Sequence, residues 1–147
     1  MKIEFLILAD AAQVADGKLF LLGGAFGFHR SGNFPSQMQF AVALSIQVPW
    51  NEAGIRYPTT LTIADEAGVP IVPVLQGQFE VAKSDQIPQG TTQRAMIAVN
   101  FNIQIPRPGR YTVSASAASS TAETSFDAIF VGAKAPFTPL ETAERGS

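Results

Sequence analysis

The stretch Met38-Gln39-Phe40-Ala41-Val42-Ala43-Leu44-Ser45-Ile46-Gln47-Val48 decides how the rest of the chain is read. Large apolar residues at 38, 40, 42, 44, 46 and 48 alternate with small or uncharged polar ones. Successive side chains of a strand point to opposite faces, so this run has one apolar face and one small, polar face. Pro49 closes it, because proline brings no N–H to a sheet ladder. Ile97 to Ile105 repeats the pattern, with Ile97, Val99, Phe101, Ile103 and Ile105 set against Ala98, Asn100, Asn102 and Gln104. Each large side chain gains roughly 1.5–3 kcal/mol on burial, so these two faces form the main source of a core. Val42, Leu44, Val99 and Phe101 are expected to face one another across it.

Working outward, composition sets the frame. The chain has 147 residues, 46% of them hydrophobic and 15% charged, which suits one packed domain and argues against disorder. A net charge of −2 lacks the basic footprint that nucleic acid or an anionic membrane selects. The absence of cysteine excludes disulfides, thiolate metal sites and thiol nucleophiles, and fits a cytoplasmic location. Near the N-terminus, Glu4 and Asp10 bracket the short apolar run Phe5 to Ala9. That run falls short of the roughly seven residues a signal peptide needs, so it reads as a strand. No run approaches the length of a transmembrane helix.

Lys2 to Val14 is expected to be the first strand and Lys18 to Phe28 the second, joined by the hairpin signal Asp16-Gly17. Gly23-Gly24 interrupts the second strand and marks a bulge or a close backbone crossing. A phosphate-cradling role for these glycines has no support, since no helical pattern follows them. His29 to Ser36 reads as a loop. Later strands are expected at Pro58 to Asp65, Gln76 to Ala82, Arg110 to Ala117 and Glu123 to Val131. Val69 to Val74, with Pro70 and Pro73, suits only a weak or edge segment. No segment has helical periodicity. About eight short strands predict a single all-β domain over residues 1–134, an antiparallel β-sandwich of immunoglobulin-like or jelly-roll kind. Residues 135–147, rich in Pro, Thr and Glu, are expected to form an extended or disordered tail.

Few residues suggest chemistry. His29 is the sole histidine, so no histidine pair exists for zinc or for a substitute base, and no catalytic residue is assigned. Asp16, Asp65 and Glu66 fall in turns without dense Asp-x-Asp spacing, and turn chemistry accounts for them without a metal or other cofactor. The loop Trp50-Asn51-Glu52, with Arg56 and Tyr57 close behind, is the best binding candidate. A loop tryptophan must pack, stack on a ligand or enter an interface, and this mixture suits protein contact or sugar stacking. The alternative is that Trp50 folds back as a lid over the core edge. A second surface is the small face Gln39, Ala41, Ala43, Ser45 and Gln47, which carries no charge. Exposed sheet faces usually carry protective charges, whereas interface centres are depleted in them. Phe137 and Leu140 in the tail are candidate occupants of that face, on the same chain or a neighbour's.

The order Phe5-Leu6-Ile7-Leu8-Ala9-Asp10-Ala11-Ala12, Asp16-Gly17-Lys18-Leu19, Gly23-Gly24 and Val48-Pro49-Trp50-Asn51-Glu52 resembles an uncharacterised bacterial β-sandwich family. The resemblance is strongest in the first third of the chain. It implies a small soluble intracellular sandwich of no assigned activity, and it carries over no catalytic residues. The expected function is a non-enzymatic module that self-associates, as a homo-oligomer, or docks in a protein assembly. A carbohydrate-binding sandwich is the alternative, and a hydrolase a distant third.

Overall fold

A computed structural model describes residues 1–132 of the chain. Ten strands build it: β1 (Lys2–Ala9), β2 (Ala11–Ala15), β3 (Lys18–Leu22), β4 (Phe28–Ser31), β5 (Ser36–Val48), β6 (Tyr57–Ala64), β7 (Leu75–Phe79), β8 (Gln93–Ile105), β9 (Gly109–Ala117) and β10 (Ser120–Phe130). One sheet has the order β1-β5-β8 and the other β4-β10-β9-β6-β7, with β2-β3 as a separate hairpin. The fold is all-β and its sheets are antiparallel apart from one short parallel pair, β4 with β10.

β5 and β8 are neighbours in one sheet, paired through thirteen positions from Ser36↔Ile105 to Val48↔Gln93. Val42↔Val99, Leu44↔Ile97 and Phe40↔Phe101 are therefore cross-strand pairs on one inner face. This corrects the expectation that Val42 and Leu44 meet Val99 and Phe101 across the core. Periodicity tells which face a side chain occupies, but not which strand lies beside it and which lies opposite. The opposite wall comes from β6, β9 and β10. Ile63, Tyr111, Val113, Phe126 and Ala128 pack there against Leu8, Met38, Phe40, Val42 and Ile105. Phe40 and Phe126 sit 5.9 Å apart between ring centres, and Phe126 stacks on Tyr111 at 5.5 Å.

Elements differ from the sequence expectation where the chain changes layer. Lys2 to Val14 is two strands, broken at Asp10, whose N–H is bonded to the carbonyls of Leu22 and Gly23. Gly23, at φ +65°, lets the Asp10 carboxylate occupy the space where a Cβ would stand. The expected close crossing is thus a contact between the two ends of the hairpin. Lys18 to Phe28 likewise ends at Leu22, and Phe28–Ser31 becomes the short strand β4 rather than a loop. The hairpin turn follows the sequence, with Asp16 and Gly17 both at positive φ as type I′ requires. The segment 69–74 forms no strand, only a bridge between Ala64 and Pro70.

Strand order settles the architecture. Taken in chain order, β1, β5 and β8 hold the places of strands A, B and E of an immunoglobulin-like sandwich, and β6, β7, β9 and β10 those of C, C′, F and G. Near the start of β9 the Tyr111 hydroxyl donates to the Arg107 carbonyl at 2.6 Å and accepts from the Arg107 N–H at 3.3 Å. This is the tyrosine corner seen at that place in such folds. Phe126, 1% exposed, lies at the centre, while Phe101 is only half-buried at the rim. Phe126→Ala should cost about 3–5 kcal/mol by loss of burial and a residual cavity. Phe101→Ala should cost roughly 2 kcal/mol, because part of its ring area is already wet. Denaturant midpoints of the two variants compare them directly, and a costlier Phe101 would misplace the centre of the core.

Candidate functional site

The outer face of the three-stranded sheet is covered by the chain itself. The β2–β3 hairpin lies across it, packing Ala12 and Leu19 against Ala41, Ala43 and Ala98. Ala41, Ala43 and Ser45 have no exposed surface, so these interface candidates are not open to a partner. Their small size serves close approach of the hairpin. Asn100 fastens it: its amide donates to the Ala12 carbonyl at 3.0 Å, and its oxygen accepts from the Ala12 N–H at 3.4 Å. Beyond the hairpin, Glu4 of β1 accepts from Ser45 at 2.9 Å and pairs with Arg94 of β8 at 2.8 Å. Arg94 above all, then Ser45, holds the Glu4 carboxyl below its ordinary range. Gln47 is half-buried beside this pair, and only Gln39 of the five small-face candidates is exposed. Phe137 and Leu140 lie outside the described residues.

The Trp50 loop is internally braced. Trp50–Glu52 forms one 3-10 turn after Pro49, and the Lys83 ammonium stands 4.9 Å from the Trp50 ring centre. The Tyr57 hydroxyl donates to the Glu52 carbonyl at 2.9 Å, and the Tyr57 ring packs 5.8 Å from Phe79. Glu52 also lies 2.6 Å from the Met1 amino group. Arg56 reaches Glu80 at 3.5 Å on the surface, and Asn51 is exposed. The loop is thus a braced clasp, in which Tyr57 and Met1 hold Glu52 and the half-buried Trp50 ring is faced by Lys83.

His29 and Ser36 form a contact that sequence spacing did not suggest. His29 Nε2 lies 2.8 Å from Ser36 Oγ, across β4 and the start of β5. A nucleophile–base pair needs a third group on the other ring nitrogen, and among the described residues no carboxylate bonds it. Burial lowers the His29 pKa from its usual 6.5, which favours the neutral ring. The acids behave as turn and pairing groups. Asp65 Oδ1 accepts from the N–H groups of Val69 and Ala67, and its other oxygen meets Arg107 at 2.7 Å. Among the described residues no three histidine or carboxylate groups converge as a metal site. Nor is any helix there long and apolar enough to cross a membrane.

An unpaired strand edge lies at β8. Its inner edge pairs with β5, while among the described residues its outer edge pairs with nothing. On the other flank of the sandwich, β1 lies against β10 and the sheets close. At the β8 flank they part, leaving a cleft of about 200 Å³. Val42, Leu44, Ile97 and Val99 line one wall, and Leu61 and Leu75 the other. Leu75 is 41% exposed at its mouth. The signal for this site was available in the sequence. Thirteen strand residues of β8 contain one charge, Arg94, and neither Pro nor Gly.

A family model matches residues 4–119, from β1 through β9, and its description reads "Family of unknown function (DUF6941)". The chain belongs to DUF6941. The matched range includes β8, both walls of the cleft and the Trp50 clasp, so these are parts of the DUF6941 region and not appendages to it. Comparison with curated proteins finds no match.

Two outcomes check these placements. Asn100→Ala should cost about 1–2 kcal/mol by stripping two bonds from the Ala12 backbone, against the ±0.5 kcal/mol or so of an ordinary surface site. Amide exchange should quicken first in β2 and β3; unaltered exchange there would show that Asn100 holds nothing. The second concerns pH. With its folded pKa below 6.5, His29 favours the fold fully above that value. As pH falls the unfolded chain takes the proton first, and stability declines until the folded pKa is passed. Glu4 and Asp127 are also lowered, chiefly by Arg94 and Arg110, but their losses begin only below about 4.5 and 3.8. His29→Gln should therefore flatten the stability profile on the acid side of pH 6.5 while leaving the steeper carboxylate limb. Parallel profiles for the two proteins would contradict the burial argument.

Proposed function

We propose that this DUF6941 chain is a non-enzymatic interaction module that binds an extended protein segment along the open edge of β8. The supporting observation is the contrast between that edge and the other edges of the two larger sheets among the described residues. β1 carries Lys2 and a register shift between Ile3 and Phe5. β4 has four residues, and β7 has five with Gly77 inside it and Pro73 just before it. Short length, charge, bulges and proline are the usual protections of an edge against pairing. β8 has none of them except Arg94, which is already engaged by Glu4. A strand laid beside it would gain backbone hydrogen bonds along its length, and its alternate side chains would enter the apolar cleft.

The carbohydrate and hydrolase readings find less to stand on. Sugar stacking needs a free aromatic face, and Lys83 takes one face of Trp50. Acyl transfer needs a base held by a third group, and His29 has no such partner among the described residues. A photo-reactive residue placed at Asn102 or Gln104 of β8, in cells of the native host, should form protein adducts. The same residue at Thr62 or Ser114, on the outer face of the five-stranded sheet, should form few. Equal yields at both surfaces, or none at either, would count against an edge-binding module.

A further inference from the structure

Resting on that edge-binding reading, we infer that the segment β8 receives is β8 of a second copy, paired antiparallel about a two-fold axis at Val99. Val99 is the midpoint of the thirteen-residue strand, so only this axis uses the whole edge. A two-fold contact is isologous, and every residue at position i meets the residue at 198 minus i; its partners follow from the sequence alone. On the cleft side Val99 meets Val99, Ile97 meets Phe101, and Ala95 meets Ile103. On the outer side Ala98 meets Asn100, Met96 meets Asn102, and Arg94 meets Gln104. No like charges face each other, and the single arginine falls opposite an amide. Apolar side chains meet apolar ones on the side that faces the cleft, and polar or small ones meet on the side that carries the β2–β3 hairpin. Alternation alone keeps each face matched to itself; what β8 adds is an edge without proline, glycine or bulge, whose one charge lies off the axis and so never meets its own copy.

The geometry agrees with this. The full strand offers roughly 40 Å of edge, enough for about a dozen inter-chain backbone bonds. Pairing would join the two three-stranded sheets into one of six strands. It would place a second strand over Ile97 and Val99, which are only half-buried in the single chain. It would also fill the position that a fourth strand, D, holds beside strand E in constant-type immunoglobulin sheets. Here the strand after β6 has gone to the other sheet as β7, and β8 is left as the outermost strand.

The test uses the natural absence of cysteine, so that any introduced thiol is the only one in its chain. Val99→Cys should give a disulfide-linked dimer under mild oxidation, because the axis brings position 99 within disulfide range of its own copy. Ala98→Cys alone should not, since its copy lies two residues along the partner strand. Met96→Cys and Asn102→Cys, both outward-facing, should cross-link when mixed and not separately, and they guard against a Val99 variant that folds poorly. Sedimentation of the full wild-type chain should show a dimer in the micromolar range, and Val99→Lys a monomer with retained sheet signal. A wild-type monomer with no Val99 cross-link overturns self-pairing, as does a cross-link pattern centred on another residue. If that monomer's β8 amides lose protection only when residues 133–147 are removed, the chain's own end is the occupant and the inference is equally overturned. Photo-adducts at β8 to a different protein would leave the edge-binding reading intact while defeating this one. An absence of adducts at β8 defeats both.

Discussion

The uninterrupted antiparallel register between β5 and β8 is the constraint on which the rest of the structure depends. Thirteen successive pairs run without a bulge, so each inner residue of one strand stands beside an inner residue of the other. A slip of β8 by one residue would turn Asn100 into the core and Phe101 out of it. The cost would be several large side chains at once, which is why the register is so well determined. Two surfaces follow from it. The inner one carries Phe40, Val42 and Leu44 with their partners toward β6, β9 and β10. The outer one is a platform of Ala41, Ala43 and Ala98, low enough for a hairpin to lie flat on it.

The hairpin explains a feature that would otherwise look like a defect. A charge-free sheet face normally invites association. In this chain β1 leaves the sheet at Asp10, where two backbone bonds and the glycine at 23 turn it over the sheet it has just left. The platform is consumed within the chain, and Asn100 supplies the polar contact that orients the cover. Glu4 and Arg94 then seal the far end, each brought from a neighbouring strand. Charge is missing from β5 itself because β1 and β8 provide it on either side.

How far the sequence reaches can be read from particular residues. Alternation at Met38–Val48 and Ile97–Ile105 was enough for strands, for faces and for a sandwich. Asp16-Gly17 was enough for the type I′ hairpin turn. Neighbour against opposite was not legible, since Val42 has the same pattern whether Val99 lies beside it or across from it. The break at Asp10 was hidden because Phe5 to Ala9 is apolar throughout and continues into Ala11 and Ala12 without a turn signal. Ten strands replace the expected eight largely for that reason, together with β4, whose four residues are too few to show a period. Trp50 had two readings on sequence, the lid somewhat favoured over a contact surface. Lys83, thirty-three positions later, faces its ring, and no local pattern announces a contact of that range. Ser36 and His29 met for the same reason, through strand placement rather than motif.

The uncharged platform and the uncharged edge look alike in sequence, yet they stand in different positions once the chain is folded. Small residues on the platform are accounted for by the hairpin, because larger ones would hold it off the sheet. Nothing within the described residues accounts in this way for the edge of β8. Its inner side chains need to be apolar for the core, and Ala98 and Asn100 serve the hairpin, but Asn102 and Gln104 on the outer side are under no such demand. A lysine at 102 or 104 would cost the single chain little and would protect the edge, as charge does on β1. Two substitutions that fold stability would tolerate are thus not used at the one long edge where they would matter. That undefended edge is the feature on which the proposed pairing rests.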